Sequence, residues 1–107
     1  MKTLILTIGH NVGDEQRHTT ASVCEDVRDV LNVSGYTAIP CLGMWQGRAE
    51  ESTRVEIEML SEADAETLMD RVPALAARLE QVEIMADVRE CSARYVGAAA
   101  DAEALTA

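Results

Sequence analysis

The side chains able to do chemistry concentrate in two stretches, GHNVGDEQRH at residues 9–18 and GMWQGRAEESTRVEIEML at residues 43–60. The first offers His10, Asn11, Asp14, Glu15, Arg17 and His18 on a glycine-bounded polar loop. The second sets Trp45, the only tryptophan, beside Gln46, Arg48, Glu50 and Glu51. This constellation suits a contact with a small ligand or a second subunit, through His10, Asn11, Arg17, Trp45, Arg48 and Glu51. An acid–base pair made of Glu50 and Glu51 is disfavoured, because neighbours on a strand point to opposite sides. His10, His18 and Cys24 are the one set with metal-ligand chemistry. Zinc sites use short, recurring spacings. Here the gaps are long, and Cys24 falls on a helix face, where a thiol packs as a small apolar group. No metal, cofactor or catalytic residue is assigned. The glycines form neither a dinucleotide nor a Walker pattern, and no Ser/His/Asp order marks a triad. For Trp45 the plain expectation is a lid, a hairpin-tip aromatic closing the end of a small core.

Composition narrows the classes. A chain of 107 residues with 48% hydrophobic side chains has room for one domain and one core. With no Phe, two Tyr and one Trp, that core rests on Val, Leu, Ile, Met and Ala. Nineteen acidic against nine basic residues give a formal charge of −10. Such a field repels phosphate backbones and anionic lipid and favours basic surfaces, so neither direct nucleic-acid binding nor membrane binding is expected. The opening MKTLILTIGH has too short an apolar run for a signal peptide, and no segment approaches the ~20 apolar residues of a membrane span. With three cysteines, a reducing cytoplasmic setting and free thiols are expected.

The elements that must position these residues follow from periodicity. Residues 2–8 alternate as a strand, with Leu4, Leu6 and Ile8 on one face. A helix opens among Thr19, Thr20 and Ser22, where Ser22 and Glu25 have capping-box spacing, and stops at 32–35. A second strand is expected over 36–42, placed at a sheet edge by Pro40. A third runs over 53–60, with Val55, Ile57 and Met59 facing the helices. A second helix follows Ser61 and should kink or break at Pro73. A fourth strand is expected over 81–89. The order β-α-β-β-α-β is an α+β, ferredoxin-like split βαβ arrangement: a four-stranded antiparallel sheet with two helices on one face. One domain should span 1–97, with an acidic, frayed tail over 98–107. In this topology the first loop, the middle hairpin and the entry to the last strand share one end, so the two polar stretches should meet. The uncovered face should carry Glu56, Glu58, Glu83 and Asp87, a landing surface for a basic protein, or a face joining two copies.

The segment W-Q-G-R-A-E-E, Trp45 to Glu51, resembles the hairpin of CutA and PII-like trimeric proteins, and L-E-Q-V-E-I, Leu79 to Ile84, resembles their entry into the last strand. Ala49 stands where they usually carry a larger apolar residue, and their cysteine-containing strand pattern is absent. The spacing of Gly43, Trp45, Glu51, Ser52 and Val55 is also similar to a bacterial domain family of unknown function. These resemblances cover about half the chain and imply a ferredoxin-like fold and a homo-oligomer. Two functions compete. The first is a small acidic, non-enzymatic protein engaging a basic partner, broadly similar to phage inhibitors of the anti-CRISPR type. The second is a PII-like oligomer holding a nucleotide or metabolite between loops of neighbouring subunits. An enzyme ranks third.

Overall fold

The structure, a computed structural model, describes residues 1–98; nearly all of the expected acidic tail lies outside the described residues. The chain runs β1 (Lys2–Gly9), β2 (Asn11–Val12), β3 (Glu15–Gln16), α1 (Thr20–Leu31), β4 (Thr37–Trp45), β5 (Arg48–Leu60), α2 (Glu62–Arg78) and β6 (Met85–Glu90). The main sheet is antiparallel with order β4-β5-β1-β6, and β2 and β3 form a separate two-stranded ribbon. This is the expected ferredoxin-like α+β arrangement, with Pro40 on the edge strand β4. No helix is long and apolar enough to cross a membrane among the described residues.

The core follows from strand alternation meeting helical stripes. Leu4, Leu6 and Ile8 on β1 and Val55 and Ile57 on β5 face Val23, Val27 and Leu31 of α1 and Leu68, Val72 and Leu75 of α2. Helix α1 is capped by Thr19 rather than Ser22. The Thr19 hydroxyl accepts from the Ser22 amide at 3.1 Å, and the Ser22 hydroxyl accepts from the Thr19 amide at 2.9 Å. Ser22 therefore fills the reciprocal place usually given to Glu. Helix α2 starts as expected, with the Asp64 amide donating to the Ser61 hydroxyl at 3.0 Å. It runs through Pro73 without a break. Pro73 is exposed while Val72 and Leu75 are buried, so packing on either side of the proline holds the helix together.

Three expectations are corrected. The expected loop at 43–52 is strand: β4 and β5 form one continuous hairpin paired from Trp45↔Arg48 back to Thr37↔Glu56. Gln46 and Gly47, at φ 50° and 77°, supply the two positive-φ residues of a tight two-residue hairpin turn. Met59 does not continue the alternation. It sits at φ 58° in a bulge that puts Glu58 and Met59 opposite Thr3. The last strand begins at Met85, because residues 79–81 are consumed in ending α2. The Gln81 amide reaches the Ala76 carbonyl at 2.9 Å and the Glu80 amide reaches Ala77 at 3.1 Å, with Glu80 left-handed at φ 55°. That is a Schellman cap. It leaves Val82 fully exposed and Glu83 outside the sheet.

Candidate functional site

The polar corner is assembled around the backbone of His10, immediately after β1. Its amide donates to the Glu51 carbonyl at 2.9 Å, extending the β1–β5 ladder by one residue. Its carbonyl accepts from both the Arg17 amide at 2.9 Å and the His18 amide at 3.0 Å. These bonds close residues 11–16 into the β2–β3 ribbon, turned at Gly13 with φ 61°. The Gln81 side-chain amide donates to the Asn11 carbonyl at 2.7 Å, tying in the entry to β6. His18 Nε2 lies 2.7 Å from the Leu79 carbonyl, which anchors the same loop to the end of α2.

The two polar stretches do meet. Arg48 donates to Asp14 at 2.7 Å, the Gln16 amide donates to Glu51 Oε2 at 2.9 Å, and the Asn11 backbone amide donates to Glu50 Oε2 at 2.9 Å. Glu50 lies over Gly9 while Glu51 points to the other side, so the two carboxylates form no pair. Arg17 pairs with Glu15 at 3.0 Å on the exposed outside of the ribbon. Trp45 is 60% exposed, so the lid expectation fails: the hairpin carries it past the end of the core. Leu42 and Met44 beside it are equally bare.

Between the ribbon, the start of α1 and the β4–β5 hairpin lies an open cleft of about 380 Å³, walled by His10, Gln16, Thr20, Leu42, Glu51 and neighbouring backbone. His10 is 97% buried by its 3% exposure. Its Nε2 lies 2.7 Å from the Thr53 hydroxyl, which lies 2.9 Å from the Thr20 hydroxyl. Its Nδ1 is buried and meets no partner among the described residues. Burial pushes the His10 imidazole below its ordinary pKa; the Glu51 carboxylate opposes this, His18 adds to it, and Glu50 opposes it weakly. Thr53 and Thr20 were not singled out from the sequence. The signal for Thr53 was its position: it shares the helix-facing register of Val55 and Ile57, where a fully buried hydroxyl needs partners.

The candidate acidic surface is different from expectation. Glu56 is paired with Arg54 at 2.9 Å and Asp87 with Arg89 at 2.7 Å, each two residues along its own strand. Glu58 accepts from the Thr3 hydroxyl at 2.6 Å and the Cys91 thiol at 3.3 Å. Glu83 is off the sheet, so only three of the four named acids share this face. Cys24 lines a second cleft with Arg28 and Tyr36, away from His10 and His18. All three cysteines are free and half-buried. Among the described residues no three His, Cys, Asp or Glu side chains are grouped to hold a metal ion.

No known family model matches the chain, and no curated protein sequence does. Solved structures do match. A phage SAM lyase in complex with S-methyl-5′-thioadenosine shares 19% identity, with 83% of this chain and 80% of that chain covered and a TM-score of 0.72. The phage SAM lyase in its apo state shares 22%, covering 82% and 78%, with a TM-score of 0.64. A DUF3240 family protein from Shewanella baltica OS155 shares 13%, covering 91% and 97%, with a TM-score of 0.61. At these identities the likeness is one of fold. The DUF3240 protein fits the resemblance to a domain family of unknown function; the CutA and PII likeness has no counterpart among these structures. The matches also overturn both favoured functions. They are to an enzyme and to a family of unknown function, not to an inhibitor of a basic partner or a PII-like or CutA-like ligand sensor.

Proposed function

We propose that this chain is an enzyme of S-adenosylmethionine, a lyase that releases S-methyl-5′-thioadenosine from it. The observation that carries the reading is the open cleft edged by the Glu51 carboxylate, in a fold shared across four fifths of a SAM lyase. The charge argument against phosphate ligands works in favour of this substrate. A sulfonium is a cation, and a chain at −10 draws cations toward its clefts.

The chemistry needs no co-reactant. The bond from sulfur to the amino-acid arm breaks, and its electron pair stays on sulfur to leave a neutral thioether. The arm's own carboxylate oxygen closes on the carbon released, so atoms balance without water. Positive charge on sulfur disappears as the bond breaks. Glu51 therefore binds and orients the cation rather than stabilising a developing charge, and the arm must be folded for its carboxylate to reach. Incubation with S-adenosylmethionine should yield S-methyl-5′-thioadenosine by chromatography, and Glu51→Gln should raise KM more than it lowers kcat. Absence of both product and any thermal shift with S-adenosylmethionine would sink the reading.

The bare side chains of Leu42 and Met44 on one side of β4, and of Trp45 on the other, support a homo-oligomer, with the hairpin as the subunit contact. Leu42 also lines the cleft, so a second copy seated on that side of the hairpin would narrow the cleft mouth.

A further inference from the structure

The two outer strands of the main sheet are unlike. β6 is six residues long and carries Asp87, Arg89 and Glu90, charges of the kind that keep a sheet edge from pairing again. β4 is nine residues long and has no charged side chain, and Leu42, Met44 and Trp45 stand bare along it. Those side chains lie on both sides of the strand. A partner laid on either face would cover one set and leave the other wet. A strand added at the edge covers both.

The free hydrogen-bonding groups of that edge follow from the ladder. Leu42 stands opposite Glu51, whose carbonyl accepts from the His10 amide on the far side, just past β1. That carbonyl therefore points away from β4, so Leu42 and Glu51 are a non-hydrogen-bonded pair, and Leu42 turns its own N–H and C=O outward. Alternation gives Met44 and Pro40 the same direction. The missing N–H of Pro40 then costs the β4–β5 ladder nothing and leaves a gap on the outer edge instead. Trp45 and Arg48, which close the two-residue turn, fall in the inward-bonded set, as such a hairpin requires.

We propose that β4 pairs antiparallel with β4 of a second copy about a two-fold axis at Gly43, joining the two main sheets edge to edge. In this register Leu42 faces the partner's Met44 and Met44 faces the partner's Leu42. Both are hydrogen-bonded pairs, so the outward N–H groups of Leu42 and Met44 in each copy all find acceptors. Pro40 falls opposite the partner's Gln46, a turn residue beyond the end of the ladder. Gly43 meets the partner's Gly43 at the axis, where no side chain obstructs the approach, and Trp45 lies across from the partner's Cys41. An axis at Leu42 would instead set Met44 against the partner's Pro40 and lose bonds at both ends. The contact is isologous, the usual form of a dimer. Its charge suits a second copy too: chains of −10 repel, and an uncharged strand lets them meet without opposing carboxylates. The pairing rests on the homo-oligomer reading and is independent of the lyase chemistry.

Sedimentation and amide hydrogen exchange on the full chain test it. The Leu42 and Met44 amides should exchange fast in dilute solution and slow by about tenfold or more as dimer forms. The Gly43 amide, bonded toward β5, should be protected throughout. Met44→Pro removes an outward N–H from each copy and nothing from the β4–β5 ladder, so the hairpin should persist while the dimer weakens about tenfold or more, the loss of two hydrogen bonds. A chain that is monomeric at every concentration leaves the edge to a foreign strand, and overturns both this pairing and the homo-oligomer reading. An oligomer whose Leu42 and Met44 amides stay unprotected, or a Met44→Pro protein that assembles as the original does, overturns the pairing and keeps the homo-oligomer. Should Met44→Pro fail to fold, the exchange comparison on the unaltered protein still decides.

Discussion

The Glu50 carboxylate occupies the space that a side chain at Gly9 would take: a Cβ there would stand 2.6 Å from Glu50 Oε1 and 2.7 Å from its Cδ. From that position Glu50 accepts the Asn11 amide and secures the first residue of the β2–β3 ribbon. The obstacle is the far end of a flexible side chain, so Gly9→Ala can be accommodated by swinging Glu50 away. The lost hydrogen bond is partly offset by the lower unfolded-state entropy of Ala, and stability should change by no more than about 1 kcal/mol. The local effect should be larger. The Asn11 amide should exchange with solvent faster in Gly9→Ala, and exchange at the unaltered rate would show that Glu50 does not hold the ribbon.

Glu80 takes the left-handed position of the α2 cap, where glycine is the usual residue. Its side chain makes no hydrogen bond or ion pair among the described residues and is exposed. Glu80→Gly removes the steric cost of a left-handed Cβ, about 1–2 kcal/mol, against a backbone entropy penalty of roughly half that. A stabilisation of about 0.5–1 kcal/mol should appear as a higher urea midpoint with an unchanged slope. A lower midpoint would mean the cap is not formed as described.

Trp45 offers a test of the hairpin. Because it packs over no core, Trp45→Ala should change the stability of the isolated chain by no more than about 0.5 kcal/mol. If the hairpin is the subunit contact, the same substitution should shift sedimentation toward the monomer, and native tryptophan emission should move to the blue as concentration rises. Concentration-independent emission of a wet indole would remove the contact.

Leu4, Leu6 and Ile8 were readable as the helix-facing set because two of the three residues that alternate with them, Thr3 and Thr7, are polar, although Thr3 and Ile5 on the other face are buried as well. The hairpin beyond Ser52 meets no helix. Both of its faces are wet, so Ala49, Glu50 and Glu51 carry no period, and strand there is set by the Gln46–Gly47 turn and the backbone ladder. The start of β6 was misjudged for a related reason. Val82 and Ile84 continue the alternation of Ala86 and Val88, but a helix cap without its glycine leaves little trace in sequence. The meeting of the two polar loops was legible from topology alone. The His10–Thr53–Thr20 chain was not, because it joins residues from three elements whose spacing carries no motif.

The pH dependence of folding should report on His10. Its imidazole has an ordinary pKa of 6.5, and burial lowers it in the folded protein. The groups facing it are Glu51 and Glu50, which oppose the shift, and His18, which adds to it. Well above 6.5 the imidazole is neutral in both states and costs nothing. As pH falls below that value the unfolded chain takes up the proton first and the native chain does not, so stability is lost until pH passes through the folded value. Glu90, whose carboxyl is held low by its hydrogen bond and ion pair to Lys2, titrates below 4.5 in the folded protein and does not enter this window. Urea midpoints measured at about pH 7.5 and about pH 5.5 should therefore fall more for the native sequence than for His10→Gln, which keeps an amide able to donate to Thr53 but has nothing to protonate. Equal falls for the two proteins would mean that His10 accepts its proton in place, at no cost to the fold.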